Sequence, residues 1–149
     1  MRPTRKRIVI LAALVVIGMG AAWALAPLFI ETRANVAPPT GFTILVSQGT
    51  WQGVDDFHFA RGIAKILGNA QGEYLLRLEN FSVRNGPDIH FFLSGGRSVG
   101  AGDIDLGSVP ATTGNYNVRI PGGTDVAGFG YTLVHCVPAN FLFGSAALA

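Results

Sequence analysis

One cysteine and three histidines, Cys136, His58, His90 and His135, are the side chains whose types could do redox or metal chemistry. Imidazole nitrogen and thiolate sulfur together suit copper or zinc. The spacing argues against a metal. There is no Cys-x-x-Cys, His-x-His or His-x-x-x-His, and the only methionines, Met1 and Met19, stand in the first apolar run, so a blue-copper axial ligand is missing. No metal ligands are therefore expected. No Cys-x-x-Cys-His marks covalent haem attachment, and haem or copper on Cys136 or a histidine has no motif behind it, so the cofactor stays open.

A cysteine hydrolase would need Cys136 activated by a histidine and oriented by a third group. Asp88 with His58 or His90 could supply these on paper, but small domains often contain such a trio by chance, and no catalytic residue is assigned. On a strand, Thr132, Val134 and Cys136 share one face while Tyr131, Leu133 and His135 take the other. Adjacent His135 and Cys136 then cannot both point into one site unless a bulge intervenes. Cys136 is either a small buried hydrophobe or a reactive redox thiol. No Lys or Arg follows Arg119, so no cation close in sequence favours the thiolate, and slow alkylation is expected.

The stretch that should position these groups runs from Leu75 to Ser94. Two alternating runs, Leu75–Val83 and Ile89–Ser94, read as half-buried strands. Between them stand Arg84-Asn85-Gly86-Pro87-Asp88. Gly86 tolerates backbone angles closed to other residues, Pro87 fixes its own, and Asp88 can accept a backbone bond. Asn85, Gly86, Pro87 and Asp88 are expected to form a structural turn.

These residues also carry a family resemblance. Asn80-Phe81, then Asn85-Gly86-Pro87-Asp88 with Ile89, Phe91 and Leu93, resemble the central signature of the DM-thirteen, or electron-transfer, domain family. Further blocks follow in order: Asn115-Tyr116 with Ile120-Pro121, and Thr132-Leu133-Val134-His135-Cys136 with Phe141, Phe143-Gly144-Ser145-Ala146 and Leu148. The resemblance covers roughly residues 50 to 148 and implies a redox module, with Cys136 as the redox candidate, bare or through a prosthetic group. Relatives carry such domains beside a haem-binding DOMON domain and a membrane cytochrome. Here any electron donor would be a separate redox or envelope protein partner. The alternative is an adhesion or assembly module of the cell envelope with Cys136 inert in the core.

The first thirty residues set the compartment. Arg2, Arg5, Lys6 and Arg7 precede an uncharged run, Ile8 to Ile30, whose 23 residues would span about 35 Å as a helix. That is enough to cross a bilayer, with the basic flank cytoplasmic and the rest outside the cell membrane. A cleaved signal peptide, with Ala24-Leu25-Ala26 as its site, is the competing reading. Pro27 after that site and the apolar Leu28-Phe29-Ile30 beyond it favour an uncleaved anchor. From residue 32 on, seven Arg or Lys face eight Asp or Glu, giving −1. No basic patch argues for nucleic acid.

Residues 1–31 are thus read as flank and anchor, 32–49 as a linker stiffened by Pro38-Pro39, and 50–149 as one β-domain. Strands are expected at Phe57–Leu67, Glu73–Phe81, Ile89–Leu93, Ile104–Val109, Asn115–Ile120, Tyr131–Val137 and Phe141–Phe143. Phe42–Val46 could add an edge strand. Asn69-Ala70-Gln71-Gly72 is a hairpin turn. About seven to eight short strands and no helical repeat predict an all-β antiparallel sandwich or flattened barrel behind one transmembrane helix. Leu76, Leu78, Ile89, Phe91, Leu93, Leu106, Tyr116, Val118, Ile120 and Phe143 are the expected core.

Overall fold

A computed structural model describes residues 4–26 and 30–149. The flank residue Arg2 and the apolar Pro27, Leu28 and Phe29 lie outside the described residues. The chain divides into two units, residues 1–30 and 31–149. In the first, α1 spans Arg5–Leu25. It holds no acidic residue, and its stretch Arg5–Trp23 is long and apolar enough to cross a membrane.

The second unit is a nine-stranded sheet curled into a half-barrel. Its strands are β1 (Arg33–Asn35), β2 (Ile44–Gly53), β3 (Ala60–Gly68), β4 (Tyr74–Val83), β5 (Ile89–Ser94), β6 (Ile104–Ser108), β7 (Thr113–Arg119), β8 (Tyr131–Cys136) and β9 (Phe141–Ala147). Across the sheet they run β1-β7-β4-β3-β2-β9-β8-β5-β6. All neighbours are antiparallel except β1 and β7.

Alternation dictates the core. Leu76 and Leu78 of β4, Ile89, Phe91 and Leu93 of β5, Tyr116 and Val118 of β7, Ile120 and Phe143 are all buried in one cluster, with Leu106 packed at its margin. Trp51, Phe81, Phe91 and Tyr116 interlock there, with the Trp51–Phe81 and Phe81–Tyr116 rings edge-on at 5.5 and 5.9 Å. Edge-to-face contact sets the positive ring edge on the negative face of its neighbour. The hairpin at Asn69 is built by its side chain, whose Oδ1 accepts from Gln71 N and Glu73 N at 3.0 and 2.9 Å.

The stretch read as a linker, residues 32–49, holds β1 and the first half of β2, and β2 is the central strand joining the two halves of the sheet. Its Ile44-Leu45-Val46 run does not alternate. Gly49 and Gly53 look like turn signals, yet they let other backbones approach. A Cβ at Gly49 would collide with Ala147 O, and one at Gly53 would lie 2.7 Å from Phe59 Cα. Residues 36 and 37 lie along the outer row of β4 and β7. Arg77 Nη1 donates to Val36 O, and Asn117 Nδ2 donates to Ala37 O at 2.9 Å. That strap buries Arg77, which alternation would have left in solvent.

The expected strand at Phe57–Leu67 begins later, at Ala60. Asp55 accounts for the difference. Its Oδ1 accepts from Phe57 N and His58 N, folding residues 54–59 into a loop before the strand can start.

Candidate functional site

The turn between β4 and β5 is tied to the ends of β8 and β9. Asn85 Oδ1 accepts from Gly86 N at 3.0 Å. Asp88 O accepts from Val137 N at 3.1 Å, and Pro87 O accepts from Cys136 Sγ at 3.0 Å. The left-handed residue is Asp88, with φ +53°, and Gly86 is not left-handed. Gly86 is needed for space instead. A Cβ there would meet Phe143 Cζ at 2.9 Å and Ile89 Cγ2 at 3.1 Å.

Cys136 ends β8 opposite Ile89 on one side and Phe141 on the other. It is 2% exposed and belongs to the core cluster. Val134 and Thr132 follow it on the same face, paired with Phe91 and Leu93. His135 faces the other way, as alternation requires. Its Nε2 meets Asn140 Oδ1 at 3.1 Å, and its buried Nδ1 has no partner. The bulge between Val134 and His135 in the pairing with β9 does not bring ring and thiol onto one face.

His90 is the register partner of His135 and carries the densest polar contacts. Its Nδ1 stands 2.8 Å from an oxygen of Asp105, and its Nε2 stands 3.0 Å from Asp88 Oδ1 and 3.1 Å from Ser108 Oγ. Partial burial works against a charge on this ring. The hydrogen bonds to Asp105 and Asp88 outweigh it, and the net effect raises the His90 pKa above its ordinary 6.5. Alternation placed His90 off the core face. It gave no sign that Asp105, seventeen positions beyond Asp88 in the chain, would complete a carboxylate pair around the ring.

His58 lies in the loop between β2 and β3. Its Nδ1 is 2.9 Å from Asp55 Oδ2, and its ring packs on Phe141 and Phe143 at 4.3 and 5.1 Å. Bonds from the His58 backbone and ring hold the Asp55 carboxyl below its ordinary pKa. Asp103, two residues before Asp105, accepts from Gly100 N at 2.9 Å and closes a turn.

These positions bear on whether copper or haem could be held here. Among the described residues, no three of His, Cys, Asp and Glu are placed to hold a metal ion. Cys136 and His135 point to opposite faces of the sheet, and both nitrogens of His90 are occupied by carboxylates, so the donor set does not fit copper. The four cavities described, between about 190 and 410 Å³, have neither Cys136 nor a histidine in their walls. They offer haem no thiolate or imidazole ligand.

The sequence blocks and the fold meet in one comparison. The family model described as electron transfer DM13 matches residues 54–148, from the loop after β2 through β9. The chain belongs to the electron transfer DM13 family. The DM13 region thus contains the whole β4–β5 turn, Cys136 and all three histidines, while β1 and all of β2 precede it. Comparison with curated proteins and with solved structures returns no match.

Proposed function

We propose that this protein is an exported, membrane-tethered electron-transfer module of the DM13 type, without a catalytic constellation of its own. The match over residues 54–148 carries this reading. Ile8–Ile30 holds the domain to the lipid bilayer, with the amino terminus cytoplasmic and the domain outside the cell membrane. The basic flank and the length of the apolar run support that arrangement. The electron carrier is brought by a redox or envelope protein partner, a reading supported by Cys136 and His135 facing opposite ways and by the carboxylates on both nitrogens of His90. No nucleic acid is involved. Cys136 is the redox candidate, and Asn85, Gly86, Pro87 and Asp88 form the structural turn against which its thiol rests.

One observation favours a second reading. Cys136 is 2% exposed and its thiol is engaged with Pro87 O, which suits an inert core residue in an envelope adhesion or assembly module. Voltammetry on the full-length protein in vesicles separates the two. A reversible wave in the presence of its envelope partners, lost in Cys136→Ala, supports the redox role. A silent electrode, together with wild-type behaviour of Cys136→Ala in cells, sinks it.

A further inference from the structure

We infer that one end of the β-domain, carrying Val54, Phe57, Arg61, Arg84, Val137 and Phe141, rests in the headgroup layer of a phospholipid bilayer. The inference depends on Ile8–Ile30 being a retained anchor, as proposed above. Its geometric basis is where the chain enters the sheet. Ile30 closes the apolar run and Arg33 opens β1, so three Cα steps, at most about 11 Å, separate the end of that run from the sheet. The entry is fixed in place, because Thr32 and Thr112 exchange hydrogen bonds of 2.9 and 3.0 Å between their backbone amides and hydroxyls.

The strand register carries that entry point across the domain. Arg33 pairs with Thr113, Thr113 with Ser82, and Ser82 with Arg61. Immediately beyond Arg61 lies the loop of residues 54–59. The turn before β5 and the one between β8 and β9 project from the same end, since Gly53 pairs with Gly144 and Cys136 with both Ile89 and Phe141. The side chains there have the chemistry of a membrane interface. Phe57 is 52% exposed, and Val54, Val137 and Phe141 are exposed as well. The Arg84 guanidinium lies 4.9 Å from the Phe57 ring centre, and Arg61 lies 4.9 Å from that of Phe59. An aromatic ring backed by a guanidinium suits the headgroup layer, where the ring meets the acyl boundary and the cation meets phosphate.

Net charge does not drive the contact. Arg33, Arg61 and Arg84 share this end with Glu31, Asp55, Asp56 and Asp88. Glu31 lies 3.6 Å from Arg33, and Asp55 and Asp88 are engaged by His58 and His90. Zwitterionic lipid should therefore suffice, with little response to salt.

The far end supplies a stringent control. Leu45 is 51% exposed and flanked by equally apolar Ile44 and Val46, yet it pairs with Leu67, six residues along β3 from Arg61, about 20 Å away. In the full-length protein, a benzophenone analogue of phenylalanine replaces Phe57 or, separately, Leu45. Each protein is reconstituted into phosphatidylcholine vesicles, floated and irradiated. Lipid adducts at position 57 at least several-fold above those at position 45, unchanged in high salt, are the expected result. Equal adducts at both positions, or none at 57 in protein that floats, would overturn the inference while leaving the anchor intact. Protein that fails to float removes the anchor and this contact together. A parallel spin label at Phe57→Cys in a Cys136→Ala background reads immersion depth without relying on the photoreaction. Full access to aqueous relaxants there would likewise overturn it.

Discussion

The thiol of Cys136 donates to the carbonyl oxygen of Pro87 across 3.0 Å, so the last residue of β8 is tied to the turn before β5. The neighbouring bond from Val137 N to Asp88 O doubles this tie. Together they place the one thiol of the chain beneath the turn and out of solvent.

Alkylation of Cys136 by iodoacetamide should accordingly be slow in the folded protein and fast once it is unfolded. Cys136→Ala should lower stability by on the order of 1–2 kcal/mol, through a small cavity and the lost hydrogen bond. Labelling at a free thiol's rate under native conditions would show that the turn opens readily.

Gly86→Ala should destabilise by about 1–3 kcal/mol because its methyl group meets the Phe143 ring tip and Ile89. The penalty is one of packing and not of backbone angle. A smaller partner should therefore relieve it: in Phe143→Leu, the added cost of Gly86→Ala should shrink clearly. Additive effects in chemical denaturation would contradict this account.

His90 should make the domain more stable on the acidic side of neutrality. A ring whose folded pKa stands above its unfolded value adds stability that is full below the unfolded value and is lost as pH rises through the folded one. The window therefore opens near 6.5 and extends upward. Asp105→Asn and Asp88→Asn should each lower the folded pKa and flatten that slope. NMR titration must follow both His90 and its register partner His135. An unshifted His90 in the wild type would rule the effect out.

Gly114→Ala should peel β1 from β7. Gly114 has φ +123°, and a Cβ there would collide with Ala34 O. Strain of about 1–3 kcal/mol falls on a strand of only three residues. Hydrogen exchange at Val36 N, which donates to Asn115 O, should rise well before exchange in β4 or β5 changes. Uniform acceleration across the sheet would mean that β1 does not open alone.

The parts legible in the sequence were those where one face is wet and one dry. Alternation from Leu75 to Ser94 gave strands β4 and β5 and their inward residues, and it put His135 and Cys136 on opposite faces. It failed on β2, a central strand whose Gly49 and Gly53 serve close backbone approach and read as turns. It also failed on Arg77, buried by the strap of residues 36 and 37. The pairing of Asp88 and Asp105 around His90 depends on β5–β6 register, which includes a shift between Phe91 and Phe92 that no local pattern announces. The turn residues were legible as a turn. Which of them takes the left-handed conformation was not, because Asp88 holds it and Gly86 answers to Phe143.

β9 lies between β2 and β8, and its pairing with β2 joins the two halves of the sheet. It also follows all the other strands in chain order. Strands β2, β3 and β4 can pair as successive neighbours while the chain is still being made. β5 and β6 can form a hairpin but have nothing to dock on until β8 and β9 arrive. Folding is therefore dominated by late, long-range closure, which is slow and leaves unpaired strand edges exposed meanwhile. The sheet therefore stays in two unjoined halves until β9 is in place.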